Sequence, residues 1–334
     1  MNASLDTNAA SFSDLHLVLG SGGTRAFLAG AGTILACDVA GVKNWKSIGG
    51  VSGGSIISAL YAGGVPAPVL VEEVIGYDFS KLFRQTGTIY RLIRSQFPRR
   101  PKNMERLPIR KGIMTSDGLG AIVEQHVSTW PANFWTMAVS GKYQFLFTAN
   151  GVFQVNKGAV VCISDVPAPL GVAIRASCAV PGILESIEFS GRQLFDGALS
   201  DFGDCPTEIV RRHFGASSRK IVACDVSGGM TRKRKAWLIL GRLITGRISQ
   251  RLHVHSRADE IFIAPRVDHL SHSLEFSLTR EQKEAAVLSG FSAAVERLAK
   301  SGLLSGELLT RCLEAAQSYT NLHRLFIAGQ MVTN

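Results

Sequence analysis

Two glycine-rich turns and one aspartate carry the residue types that could do chemistry together. The stretch "GVSGG", Gly50 to Gly54, has the G-x-S-x-G spacing of a sharp strand-to-helix turn. Small neighbours there let a serine Oγ project unobstructed, and the next residue's N–H can help hold an oxyanion. Ser52 is therefore a candidate nucleophile, with Gly53 as a candidate donor. Upstream, "GSGGTRA" runs from Gly20 to Ala26 after a short apolar segment. Its glycines let successive N–H groups point into one concavity at a helix start, where the helix dipole also favours negative charge. That physics suits a nucleotide phosphate or the oxyanion of an ester under attack. A dinucleotide site wants G-x-G-x-x-G, then an acid about twenty residues on at the end of the next strand. Here Arg25 takes the last glycine position, and Asp38, the only acid in range, falls in the expected helix. No Gly-Lys-Ser/Thr follows, which excludes a Walker loop.

A serine hydroxyl needs a base. Six of the eight histidines follow Asp196, so Ser52, Asp196 and a later histidine have the chain order of an α/β-hydrolase triad. That fold places several strands ahead of its serine turn, whereas a single strand and the glycine loop precede Ser52. A Ser52–Asp196 pair is the simpler arrangement.

The elements that must position these residues follow from the hydrophobic pattern. Residues 15 to 19 read as a buried strand and Ala26 to Val39 as a helix. A short strand ending near Gly49 leads through the serine turn into a helix from Gly54 to Ala62. Residues 66 to 78 and 116 to 128 look helical. "YQFLFTANGVFQVNKGAVV" holds two or three strands with turns at Asn150-Gly151 and Asn156 to Gly158. "ESIEFSGRQLFDGALSD" reads as a hairpin turning at Ser190-Gly191, which puts Asp196 at a strand end. "RKIVACDVS" and "ADEIFIAPRV" supply further buried strands, and residues 280 to 300 and 303 to 318 closing helices. Alternating strands and helices predict an α/β sheet covered on both faces.

At this point the residues resemble the patatin-like phospholipases. The resemblance rests on "GSGGTRA", "GVSGG", "DGA" at Asp196 to Ala198, and the A-S-x-A-x-P pattern within "IRASCAVPGI". "KGIMTSDGL" and the late "ADEIFIAP" add to it, so it spans roughly residues 15 to 300. It implies a three-layer α/β fold with a central, mostly parallel sheet flanked by helices. It also implies a Ser52–Asp196 catalytic dyad without histidine, and phospholipase A-type hydrolysis of membrane glycerophospholipid esters. Gly22, Gly23 and Thr24 match the oxyanion-loop positions. Arg25 matches the basic residue after them, as a substrate-phosphate contact or a loop anchor. No metal or cofactor is implied. Departures from the family pattern are Ser21 and Ala26 where glycine is usual, Leu184-Glu185-Ser186 in place of an apolar segment, and no asparagine soon after Asp196. The same dyad would serve a neutral-lipid lipase, thioesterase or acyltransferase. A latent or non-catalytic module binding anionic lipid or nucleotide is the contrasting reading.

The chain has 334 residues, 46% hydrophobic and 19% charged, enough to bury a substantial core. The expected organisation is a flexible segment over 1–14, a catalytic domain over 15–300, and a helical extension over 301–334. No run of about 18 apolar residues could span a membrane, and the polar N-terminus lacks the pattern of a Sec-type export signal. The expected location is cytoplasmic with peripheral membrane contact, or delivery into another cell without such a signal. The net charge of +10 is concentrated in two stretches. Residues 84–111, punctuated by Pro98, Pro101 and Pro108, hold nine Lys/Arg against one acid, and read as a lid or basic excursion. Residues 232–257 hold eight against none, and read as a basic amphipathic segment. Both could meet anionic lipid or an anionic activator such as a protein, phosphoinositide or nucleotide; specific nucleic-acid binding is not expected. Six scattered cysteines, without CxxC spacing, read as reduced, buried thiols.

Overall fold

The computed structural model describes residues 14–84, 112–156, 159–226, 259–267 and 276–332. Apart from Asp14 and Arg84 at their margins, the expected flexible N-terminus, lid and basic amphipathic segment lie outside these residues. Within them the chain runs β1 (Leu15–Leu19), α1 (Thr24–Val39), β2 (Trp45–Gly50), α2 (Gly53–Ala62) and α3 (Ala67–Gly76). Next come α4 (Asp117–His126), β3 (Phe134–Ser140), β4 (Tyr143–Thr148), β5 (Gly151–Val155) and β6 (Val160–Ser164). The remainder is α5 (Leu170–Ser177), β7 (Ile187–Phe189), β8 (Arg192–Asp196), α6 (Thr207–Phe214), β9 (Ile221–Cys224), β10 (Ile261–Ile263), α7 (Arg280–Lys300), α8 (Gly306–Ala315) and α9 (Tyr319–Val332).

One sheet organises these elements, in the order β10-β9-β1-β2-β3-β4-β5-β6. From β10 to β3 every pairing is parallel, and β4 to β6 extend it as an antiparallel meander. Side chains alternate between the two faces. Leu15, Leu17, Leu19, Val222 and Phe134 join the larger core under α1, α2, α3 and α7. Val18, Ala223, Trp135 and Met137 face the other way, toward Ile209 and Val210 of α6. The expected three-layer arrangement of a sheet between helices is what forms.

One strand has no counterpart among the elements read from the sequence, and one cysteine differs from its expectation. Residues 134–140, "FWTMAVS", form a central strand that carries no period-2 signal because both faces are covered. Cys162 is exposed, unlike the other five cysteines, because β6 is the last strand of the meander and its side chains stand in solvent.

The hairpin β7–β8 turns at Ser190 and Gly191, both with positive φ, as its sequence predicts. β8 then pairs antiparallel with β3 through Ala138↔Asp196 and Val139↔Phe195. β4 occupies one edge of β3, so β2 and β8 share the other. β2 pairs there through Ile48↔Phe134, Gly49↔Trp135 and Gly50↔Thr136. The C-terminal ends of β2 and β8 thus approach head-on along β3, their partners Thr136 and Ala138 two residues or about 7 Å apart.

Candidate active site

Ser52 sits where that convergence occurs. It forms the turn between β2 and α2 with φ 53° and ψ −132°, a conformation strained for any residue with a Cβ. Flanking glycines make room for the turn. A Cβ on Gly53 would lie 2.1 Å from the Gly23 carbonyl oxygen, and one on Gly54 would lie 2.4 Å from the carbonyl oxygens of Gly20 and Leu19. The two glycine-rich motifs are therefore one structure, packed backbone against backbone.

The upstream loop is fastened on its other side. Gly20 N–H donates to the Cys224 carbonyl at 2.8 Å, and Ser21 N–H to the Asp204 carbonyl at 2.7 Å. The Ser21 hydroxyl donates to Asp204 Oδ1 at 2.8 Å. Ser21, a departure from the family pattern, thus ties the loop to the segment that follows Asp196. Gly22 and Gly23 have φ 154° and 61°, and Gly23 caps α1, which begins at Thr24. The N-termini of α1 and α2, at Thr24 and Gly53, border one pocket, and both dipoles favour negative charge there. Arg25, next along α1, is half-buried and is not among the pocket-lining residues.

Asp196 is 4% exposed at the end of β8. Its Oδ1 accepts the Ala198 N–H at 2.8 Å, and the Ser52 hydroxyl is near enough to its carboxyl to favour the charged form. Burial pushes this carboxyl up to about 7, and the charge of Asp204 adds to the rise; the hydrogen bond from Ala198 and the nearby Ser52 hydroxyl oppose it. Cys178 is buried nearby, its thiol pushed up by burial first and by the Asp196 charge second. A thiol held in that state packs as a small apolar group.

The pocket that opens on Ser52 encloses about 510 Å³ including its mouth. Phe27, Ile56, Phe79, Leu82, Ile122 and Leu184 form much of its wall, while Gly23, Thr24, Ser52 and Gly53 form one polar corner. No charged side chain and no histidine is among its described lining residues. Lys283 of α7 supports this wall from behind. Its Nζ donates to the carbonyls of Ile75 and Tyr77 at the end of α3 and stands over the Phe79 ring. Opposite, Arg175 of α5 bonds Asp117 at 2.7 Å and Glu185 at 2.8 Å, pinning α4 to the segment that carries Leu184. Glu185, another departure from the family pattern, acts in that tie. The flanks of the expected lid meet beside the pocket, where Thr115 N–H donates to the Arg84 carbonyl at 2.8 Å.

The structure brings together Ser52, Gly53, Asp196, Gly22, Gly23 and Thr24, and leaves Arg25 at the margin. Two polar residues to which sequence reading gave no role also belong to the site. Ser177 Oγ accepts the Ser52 N–H at 3.0 Å, and Thr136 Oγ1 lies 2.9 Å from Ser177 Oγ. Ser177 was visible only as the serine of A-S-x-A-x-P; Thr136, inside an apolar strand, carried no signal. Among the described residues, no group of three or more His, Cys, Asp or Glu could hold a metal ion. No described helix is long and apolar enough to cross a membrane.

A glycine-loop oxyanion corner, a serine on a strained turn and a buried carboxyl form an arrangement suited to acyl transfer. The family model for patatin-like phospholipases matches residues 17–210, from β1 into α6, and the chain belongs to that family. At the family level this makes it a lipid acyl hydrolase. Among solved structures, the chain is similar to VipD from Legionella pneumophila at 14% identity and a TM-score of 0.49, over 86% of this chain and 67% of that one. No curated protein matches the chain.

Proposed function

We propose that the protein is a phospholipase A-type enzyme that cleaves fatty-acyl esters of membrane glycerophospholipids through an acyl-enzyme on Ser52. The observation that carries this reading is Ser52, held on a strained turn at the polar corner of an otherwise apolar pocket, with the buried Asp196 carboxyl beside it at the end of β8. In the proposed sequence the acyl chain enters the pocket, which places the ester carbonyl over Ser52. Asp196, ionised, accepts the Ser52 proton as Oγ attacks. Backbone N–H groups of the Gly22-Gly23-Thr24 loop and of Gly53 hold the tetrahedral oxyanion, aided by the two helix dipoles. Asp196 returns the proton to the leaving alcohol, then accepts one from water as the acyl-enzyme is hydrolysed. Peripheral contact with anionic bilayers through the basic sequence stretches, and control by an anionic activator, belong to the same proposal.

The test is fatty-acid release from phospholipid vesicles, followed by lipid mass spectrometry. Release by the intact protein, lost in both Ser52→Ala and Asp196→Asn, is expected. Release unchanged in either variant would sink the dyad.

A further inference from the structure

The C-terminal end of α5 holds both members of the proposed dyad. Ser177 is fully buried and takes the Ser52 N–H at 3.0 Å through its Oγ. Two residues on, the Ala179 carbonyl takes the Asp196 N–H at 3.0 Å. Ser177 is also 2.9 Å from Thr136 Oγ1, which donates to the Gly50 carbonyl at 2.8 Å. Each hydroxyl has one proton to give, and a carbonyl can only accept. The single Thr136 proton is therefore shared between two acceptors, the Gly50 carbonyl and Ser177 Oγ, and Ser177 Oγ also accepts the Ser52 N–H. These bonds meet at the two hydroxyls and tie β2, β3 and α5 together.

Ser52 needs such a tie. Its backbone is held at positive φ, at a cost of roughly 1–3 kcal/mol that persists only where the surroundings over-determine it. Its N–H precedes the hydrogen-bonded ladder of α2, so a partner outside the helix must hold it. Ser177 is that partner, and it is two residues from the carbonyl that holds Asp196.

We infer that Ser177 and Thr136 are positioning residues, a hydroxyl brace that fixes the Ser52 backbone and sets its hydroxyl against Asp196. The inference rests on the acyl-hydrolase reading above. Neither residue is among those lining the pocket, so the brace acts on turnover and not on substrate affinity.

The test uses the full chain with Ser177→Ala, Thr136→Val and Thr136→Ser. Thr136→Val keeps the side-chain shape and removes the hydroxyl; Thr136→Ser does the reverse. kcat and KM are measured on a soluble acyl ester, alongside the rate at which a fluorophosphonate labels Ser52. A displacement of well under 1 Å at a nucleophile costs on the order of 10- to 100-fold. We expect Ser177→Ala and Thr136→Val each to lower kcat by about that much with KM within about twofold, and labelling to slow in parallel. Thr136→Ser should restore the turnover that Thr136→Val loses. A kcat within twofold of the intact protein in both hydroxyl-deleting variants overturns the brace and leaves the acyl-hydrolase reading standing. A loss carried by KM, or an equal loss in Thr136→Ser, also overturns it. If the intact protein neither turns over ester nor takes label at Ser52, the acyl-hydrolase reading falls and the brace falls with it.

Discussion

Replacing Asp196 by asparagine should change how stability depends on pH, in a direction and size that follow from burial. The carboxyl lies at about 7 in the fold against 3.8 for the ordinary group, chiefly because burial penalises its charged form. The protonated acid is thus the form the fold prefers. Its contribution is complete below pH 3.8, declines as the unfolded chain ionises and the folded one does not, and is exhausted above about pH 7. At 1.36 kcal/mol per unit, the loss is on the order of 4 kcal/mol, roughly 3 of which fall between pH 5 and pH 8. Asparagine has the same shape, keeps an oxygen for the Ala198 N–H and does not titrate. Guanidinium unfolding followed by tryptophan fluorescence should therefore show Asp196→Asn gaining about 3 kcal/mol on the intact protein between pH 5 and pH 8. The pH-rate profile should agree, with kcat/KM rising about tenfold per unit up to roughly pH 7 and then flattening. Parallel stability curves for the two proteins would refute the reasoning, because they would mean that Asp196 is ionised across the whole range.

The remaining predictions concern the turn, the pocket and the helix seam. Ser52→Gly relieves a backbone held at φ 53° and should raise stability by about 1–3 kcal/mol while abolishing ester turnover, as thermal or denaturant unfolding and activity would show together. Ile122→Trp, which adds bulk to the pocket wall, should cut kcat/KM for long-chain esters by at least about tenfold and spare acetyl esters, read from a chain-length series. At the α1–α7 crossing, a Cβ on Gly290 would lie 2.0 Å from the Ala29 carbonyl oxygen. Gly290→Ala must push the helices apart, and should cost about 1–3 kcal/mol in unfolding free energy.

Much of this site was legible because its signals are local. Gly50 to Gly54 announce the turn through small residues that the close backbone approach requires. Ser190-Gly191 announce the hairpin through residues that tolerate positive φ, and this places Asp196 at a strand end. The meeting of Ser52 with Asp196 is a different kind of fact. It depends on β2 and β8 sharing one edge of β3, and "FWTMAVS" gives no periodicity because both of its faces are covered. A buried strand of this sort hides its register in a continuous apolar run. The same concealment applies to Thr136, whose hydroxyl has meaning only once Gly50 and Ser177 are beside it. Ser21 and Glu185, read in sequence as departures from a pattern, turn out to be bonded to Asp204 and Arg175. Ser21 is the visible half of a contact whose other half lies 183 residues along the chain, and Glu185 of one whose other half lies 10 residues back, across the turn after α5.

The basicity of Asp196 has its physical origin in burial. A carboxylate in water, with a pKa near 4, is a weak proton acceptor at neutral pH, because general-base efficiency falls as the base's pKa drops below the working pH. Asp196 is buried at the end of β8, and the desolvation this imposes is the largest contribution to its rise to about 7. Asp204 adds a second negative charge from the segment to which Ser21 ties the glycine loop. The Ala198 hydrogen bond and the nearby Ser52 hydroxyl hold the value down, so it stops near neutrality. At that pKa an aspartate can fill, for Ser52, the part that a histidine plays in a triad. This is why a pocket without a described histidine can still suit ester cleavage, and why a change that admits water to Asp196 should lower its basicity.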